Sequence, residues 1–114
     1  MIRSRKIRLD EEFPEIVTLC GSTRFKNQFL KVQKELTLEG KIVISVGLFG
    51  HADKEAEAWK NKKILDELHL RKIDLADTIY VIDVGGYIGK STKLEIEYAR
   101  SKNKEIRFYS QEQK

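Results

Sequence analysis

Two hydrophobic periods alternate along this chain. Ile16-Val17-Thr18-Leu19-Cys20 is a short, β-branched, nearly continuous apolar run closed by Gly21-Ser22. Such a run fits a strand buried on both faces, as in a parallel sheet. Phe25, Phe29, Val32 and Leu36 then recur at helical spacing and Gly40 follows as a stop, which predicts a helix over Phe25–Leu38. Ile42 to Val46 reads as the second strand, and Gly47 to Asp53 as a glycine-flanked loop at its carboxyl end. A long helical stretch is expected from about Glu55 to Ala76, broken once, with Ile64, Leu65, Leu68 and Leu75 as its buried side. Trp59, near its start, reads as core or as a pocket wall. Thr78 to Asp83 is the third strand and Gly85 to Lys90 the loop after it. A helix over Thr92–Lys102 and a last strand over Ile106–Tyr109 complete the pattern, leaving Ser110 to Lys114 as a frayed end.

Strands alternating with helices imply crossover connections and a parallel sheet covered on both faces. The expected fold is α/β, a short flavodoxin-like sheet in the order 2-1-3-4. Its ligand crevice opens at the carboxyl ends of strands 1 and 3, where the winding reverses. The loops meeting there are Gly21-Ser22-Thr23-Arg24 and Gly85 to Thr92.

The length of 114 residues accommodates one domain, over 1–114, with 1–12 as a basic lead-in. Hydrophobic residues at 40% and charged residues at 35% suit a globular chain rather than a disordered one. The net charge of +4 does not by itself indicate nucleic acid. Arg3, Arg5, Lys6 and Arg8 carry the whole excess, and the rest of the chain balances acids against bases, so a basic face on the fold is not expected. No apolar run is long enough to span a bilayer, and a single cysteine, Cys20, excludes an internal disulfide and fits a reducing cytoplasm. The two histidines, His51 and His69, form no zinc-ligand spacing with Cys20 or the acids, so neither a metal nor a cofactor is expected.

Gly21, Ser22 and Thr23 at a helix start, with Arg24 beside them, offer N–H groups, hydroxyls and a guanidinium to a phosphate or carboxylate. An ordinary Ser or Thr N-cap explains the same residues. Gly85, Gly86 and Gly89 let the backbone approach a ligand closely, and Lys90, Ser91 and Thr92 add a cation and two hydroxyls. Glu95 is expected in the first turn of the following helix, where Thr92-Lys93-Leu94-Glu95 also reads as a capping box and the helix dipole would keep the carboxylate ionised. Asp66 and His69, three apart on a helix, read as a surface pair or as catalytic partners.

Three segments together carry a resemblance: Leu19-Cys20-Gly21-Ser22-Thr23-Arg24, Ile73-Asp74-Leu75-Ala76-Asp77, and Glu95-Ile96-Glu97-Tyr98-Ala99. In this order and spacing the chain resembles the nucleoside 2-deoxyribosyltransferase-like superfamily over roughly residues 16 to 109. Gly-Ser-Thr-Arg-Phe and Val-Gly-Gly-Tyr-Ile-Gly make it most similar to a small bacterial and phage branch. The resemblance implies that Glu95 is the nucleophile that attacks the anomeric carbon of a nucleoside or nucleotide, as in retaining glycosidases. It also implies a homodimer, since such relatives complete their sites across subunits. The chain departs from the family pattern at three positions. His69 stands where the family has a catalytic aspartate, Thr18 where it has a tyrosine, and Gly89 where the glycosidases have a phosphate-binding serine. Ser91, Thr92 and Lys90 could replace the last, and Asp66 or His69 the first.

Two functions follow as expectations. One is cleavage or transfer of an N-glycosidic bond through Glu95, aided by His69 and Asp66, with Gly21, Ser22, Thr23, Arg24, Gly86, Gly89, Lys90, Ser91 and Thr92 binding the ligand. The alternative is a nucleotide-binding sensor or scaffold without catalysis.

Overall fold

The computed structural model describes residues 13–113; the basic lead-in over 1–12 lies outside them. Four strands, β1 (Ile16–Gly21), β2 (Ile42–Ile44), β3 (Thr78–Ile82) and β4 (Glu105–Phe108), form one sheet in the order β2-β1-β3-β4, every pair parallel. The helices are α1 (Lys26–Leu38), α2 (Ala56–Lys60), α3 (Lys62–Leu75), α4 (Lys90–Ser101) and the short α5 (Tyr109–Glu112). The expected winding is therefore present, and the break in the long helical stretch falls at Asn61.

The central strands are buried on both faces, and their alternation assigns side chains to two cores. Val17, Leu19, Tyr80 and Ile82 pack with Phe29, Val32 and Leu36 of α1. On the opposite face Cys20, Ile79 and Val81 pack with Ile73 of α3 and with Ile96 and Ala99 of α4. Polar contacts pin the strand starts. The Ile16 N–H donates to Asp77 Oδ2 at 2.8 Å, and the Asp77 N–H returns a bond to the Ile16 carbonyl at 2.8 Å. The Thr78 hydroxyl donates to Glu15 Oε2 at 2.6 Å, while Lys41 pairs with Glu15 Oε1 at 2.8 Å. Lys41 and Thr78 together hold the Glu15 carboxyl below its ordinary range.

Four sequence expectations require correction. Strand β2 ends at Ile44, two residues early, where its pairing with β1 stops at Thr18. Helix α3 is rotated from the expected phase: His69 and Ile73 face the core, whereas Ile64, Leu68 and Leu75 are about half exposed or more. Of the four expected residues only Leu65 is half-buried, so apolar periodicity alone chose the wrong side for the other three. Helix α4 starts at Lys90 after an N-cap at Gly89, which makes Thr92 a buried core-facing residue instead of a cap. The expected frayed end is instead tied to the fold through Gln113, Lys114 lying outside the described residues. Buried Asp83 accepts from Ser110 N at 2.8 Å and Oγ at 2.7 Å, Arg107 forks onto Glu112, and Gln113 reaches Lys31 and Glu35.

Gly21 ends β1 at φ +142°, opposite Ile82, and a Cβ there would lie 2.8 Å from the Ile82 carbonyl oxygen. Backbone strain and a backbone clash act together at this position. Gly21→Ala is expected to lower stability by about 2 kcal/mol or more, read from the urea unfolding midpoint. Gly47→Ala, in open space, should change it by less than about 0.5 kcal/mol. Equal effects of the two would remove the close approach as a constraint on the crevice.

Candidate functional site

Beyond the carboxyl ends of β1 and β3 the chain leaves a cleft of about 370 Å³. Its walls are the turn after β1, the loop after β2, the first residues of α4 and the exposed shoulder of α3. This is the reversal point of the sheet order, the place where open parallel sheets take ligands.

Three titratable groups from three elements meet at the floor. Cys20 at the end of β1 is fully buried, and its Sγ lies 3.4 Å from His69 Nε2. His69 Nε2 lies 3.8 Å from Glu95 Oε1, with both side chains only 8% and 14% exposed. The Cys20 thiol is also within hydrogen-bonding reach of the Glu95 carboxyl. Burial pushes Glu95 up to about 7, with the Asp66 charge adding to it and the Cys20 bond and Lys62 opposing. Burial, aided by Lys72, pushes His69 down to about 4. The His69–Glu95 contact is thus no ion pair near neutral pH: the imidazole is uncharged there and about half of Glu95 carries its proton. Burial likewise drives the Cys20 thiol well above its ordinary range.

Aromatic rings and cations build the rim. Arg24 lies over the Tyr87 ring at 4.7 Å, which ties the turn after β1 to the loop after β3. Phe25 meets the same ring edge-on at 6.0 Å. Gly85 and Gly86, at φ +63° and +82°, make the turn that brings Tyr87 there. Thr23 Oγ1 lies 2.9 Å from His51 Nδ1 and accepts the His51 N–H, while His51 meets Trp59 edge-on at 4.9 Å. Lys62 pairs with Asp66 at 2.7 Å and reaches Ser91 Oγ at 3.4 Å.

Of the residues expected at the site, Gly21, Ser22, Thr23, Arg24, Asp66, His69, Gly89, Lys90, Ser91, Thr92 and Glu95 all line the cleft. Gly86 does not; it shapes the turn instead. Ser22 is a cap, its Oγ accepting the Arg24 N–H at 3.3 Å, and only a three-residue 3-10 turn follows before α1 begins at Lys26. The expected helix amino terminus at this loop is thus a 3-10 turn capped by Ser22 that runs on into α1. Thr23 is engaged by His51. His69 and Asp66 are not a surface pair: His69 is buried against Cys20, and Asp66 faces Lys62. Glu95 lies in the second turn of α4, beyond reach of a capping box, and burial outweighs the helix dipole in setting its charge.

Sequence reasoning gave no site role to Cys20, His51, Lys62, Lys72 or Tyr87. Cys20 had a usable signal, since strand alternation places it on the face opposite Leu19, toward α3 and α4. Trp59, 55% exposed and lining the cleft, is a wall and not core. The Thr18 hydroxyl donates to the Lys72 carbonyl at 2.9 Å and is a structural tie.

The raised pKa of Glu95 makes a stability prediction. Between pH 4.5 and about 7 the folded protein holds a proton on this residue that the unfolded chain has released. Its contribution is fully present below 4.5 and is lost as pH rises through 7. Glu95→Gln should therefore gain stability over the parent as pH rises, by about 3 kcal/mol between pH 4.5 and 8. Urea midpoints at several pH values measure this; a parent–variant difference independent of pH would contradict it.

No protein-family model matches this chain and no curated protein matches it significantly, so its functional reading stands on the residues of the cleft.

Proposed function

We propose that the protein cleaves or transfers the N-glycosidic bond of a nucleoside, a nucleotide or a related ribosyl ligand, with Glu95 as the nucleophile. The observation carrying this reading is the position of Glu95: one carboxyl at the floor of a cleft walled by aromatic rings, beneath a rim bearing Arg24, Lys62 and Lys90. The resemblance to the nucleoside 2-deoxyribosyltransferase-like superfamily supports the same residue in the same role. A flat base suits the Trp59 and Tyr87 walls, and the rim cations suit a 5′-phosphate.

In this reading ionised Glu95 attacks the anomeric carbon. The C–O ester bond forms as the C–N bond breaks, and the base leaves with a proton from solvent. Water, or a second base, then displaces the carboxylate from the sugar. Neutral His69 and the Cys20 thiol orient the carboxyl, and the low polarity around it strengthens its interaction with an oxocarbenium-like sugar. The family's aspartate has no carboxylate substitute at the floor. Asp66 acts from the rim, where its charge raises the Glu95 proton affinity.

The test is release of free base from a panel of nucleosides and their 5′-monophosphates. Glu95→Gln should remain folded, still bind ligand and lose nearly all turnover. Because the ionised form attacks, kcat/KM should rise with pH to a plateau above an apparent pKa near 7. Asp66→Asn removes a charge that raises that value, so the rising limb should move to lower pH. Base release by Glu95→Gln at the parental rate would instead favour a nucleotide-binding module. Such a module has its own support in the departures from the family pattern, with His69 in place of the aspartate and a structurally tied Thr18 in place of the tyrosine.

We also propose that the protein acts as a homodimer. Ile64, Leu68 and Leu94 are 60%, 49% and 59% exposed on adjacent helices α3 and α4, with Leu68 on the cleft wall. Light scattering should give a dimer mass for the parent and a monomer for the Ile64→Lys, Leu94→Lys double variant. A monomeric parent at high concentration would end this proposal.

A further inference from the structure

Cys20, His69 and Glu95 come from the end of β1, from α3 and from the second turn of α4. One donor atom from each lies within 4.8 Å of the other two. Cys20 Sγ and His69 Nε2 are 3.4 Å apart, and Nε2 and Glu95 Oε1 are 3.8 Å apart. A tetrahedral zinc ion with Zn–S of about 2.3 Å, Zn–N of about 2.0 Å and Zn–O of about 2.1 Å holds S and N about 3.5 Å apart, and N and O about 3.4 Å apart. The two observed separations thus match edges of one coordination tetrahedron to within about 0.4 Å.

We propose that these three side chains bind a soft divalent cation of the zinc type, with its fourth coordination position open to the cleft. His69 and Glu95 both line the cleft, so the cation has an entry path, while Cys20 closes the site from behind. A sulfur donor beside an imidazole selects zinc-like ions over magnesium or calcium, which take oxygen ligands. Asp66 adds negative charge nearby, and Lys72 and Lys62 oppose it. On binding, the thiol proton of Cys20 leaves to solvent, together with the Glu95 proton where that carboxyl carries one. No redox change is involved. Three ligands and one open position form the arrangement of reactive zinc sites, in contrast to the closed structural ones. If the glycosidic reading holds, the cation occupies the same carboxylate that attacks the sugar, so zinc inhibits base release.

The experiment titrates Zn²⁺, and separately Co²⁺, into the untagged full chain and reads no turnover, so its result is independent of whether base release occurs. Calorimetry should give one zinc per chain. Cobalt should give a thiolate-to-metal charge-transfer band in the near ultraviolet together with tetrahedral d–d absorption. Cys20→Ser should abolish the charge-transfer band and weaken zinc binding about tenfold or more, and Glu95→Gln should weaken zinc while keeping the band. His51→Ala, which removes the chain's other imidazole, should leave both unchanged. If Cys20→Ser fails to fold by circular dichroism, the cobalt spectrum of the parent decides alone. Absence of saturable binding, a cobalt spectrum without the thiolate band, or a band that survives in folded Cys20→Ser would each overturn the proposal.

Discussion

Gly21 and Ile82 stand opposite each other at the carboxyl ends of the two central strands, where a single added Cβ would lie 2.8 Å from a carbonyl oxygen. This approach lets β1 and β3 stay paired to their last residues before the chain leaves in opposite directions across the sheet. Everything functional is hung from that divergence. The turn carrying Arg24 departs from one strand, the loop carrying Tyr87 from the other, and the Arg24–Tyr87 stack joins them again above the opening.

The floor works against the fold that holds it. Glu95 and His69 are buried together, yet the pair is not ionic near neutral pH, because burial disfavours the charged form of each. In the unfolded chain at mildly acidic pH the same two groups would be carboxylate and imidazolium. Folding neutralises both, and the stability forgone is what keeps the Glu95 carboxyl poised near neutrality. The sheet and its two apolar cores supply the compensating stability, with the Glu15–Lys41–Thr78 and Asp83–Ser110 contacts securing either end of the central strands.

The rim divides its residues between holding and binding. Ser22 and Thr23, which look like ligand groups in sequence, are used to cap a turn and to anchor the loop after β2. Among the described residues of the rim, the cations Arg24, Lys62 and Lys90 line the cleft, Arg24 stacked on Tyr87 and Lys62 paired with Asp66.

Sheet order, strand count and the location of the crevice were legible in the sequence, because a two-face-buried strand and a helical stripe are local periodic signals. Most of the residues lining the cleft were legible for the same reason: they occupy the turns that such a topology brings together. Local pattern could not determine what depends on contacts between distant segments. The phase of α3 is not legible locally because its core side carries His69 and its outward side carries Ile64, Leu68 and Leu75; hydrophobicity alone cannot distinguish a core stripe from an exposed one. The capping box at Thr92 was a valid local reading overridden by burial of Thr92, and the order of the carboxyl terminus depends on Asp83, 27 residues before Ser110. The Cys20–His69–Glu95 cluster had no sequence signature, its members lying far apart along the chain. Only the folded sheet brings the three within 4.8 Å of one another and removes the water that would keep Glu95 an ordinary carboxylate.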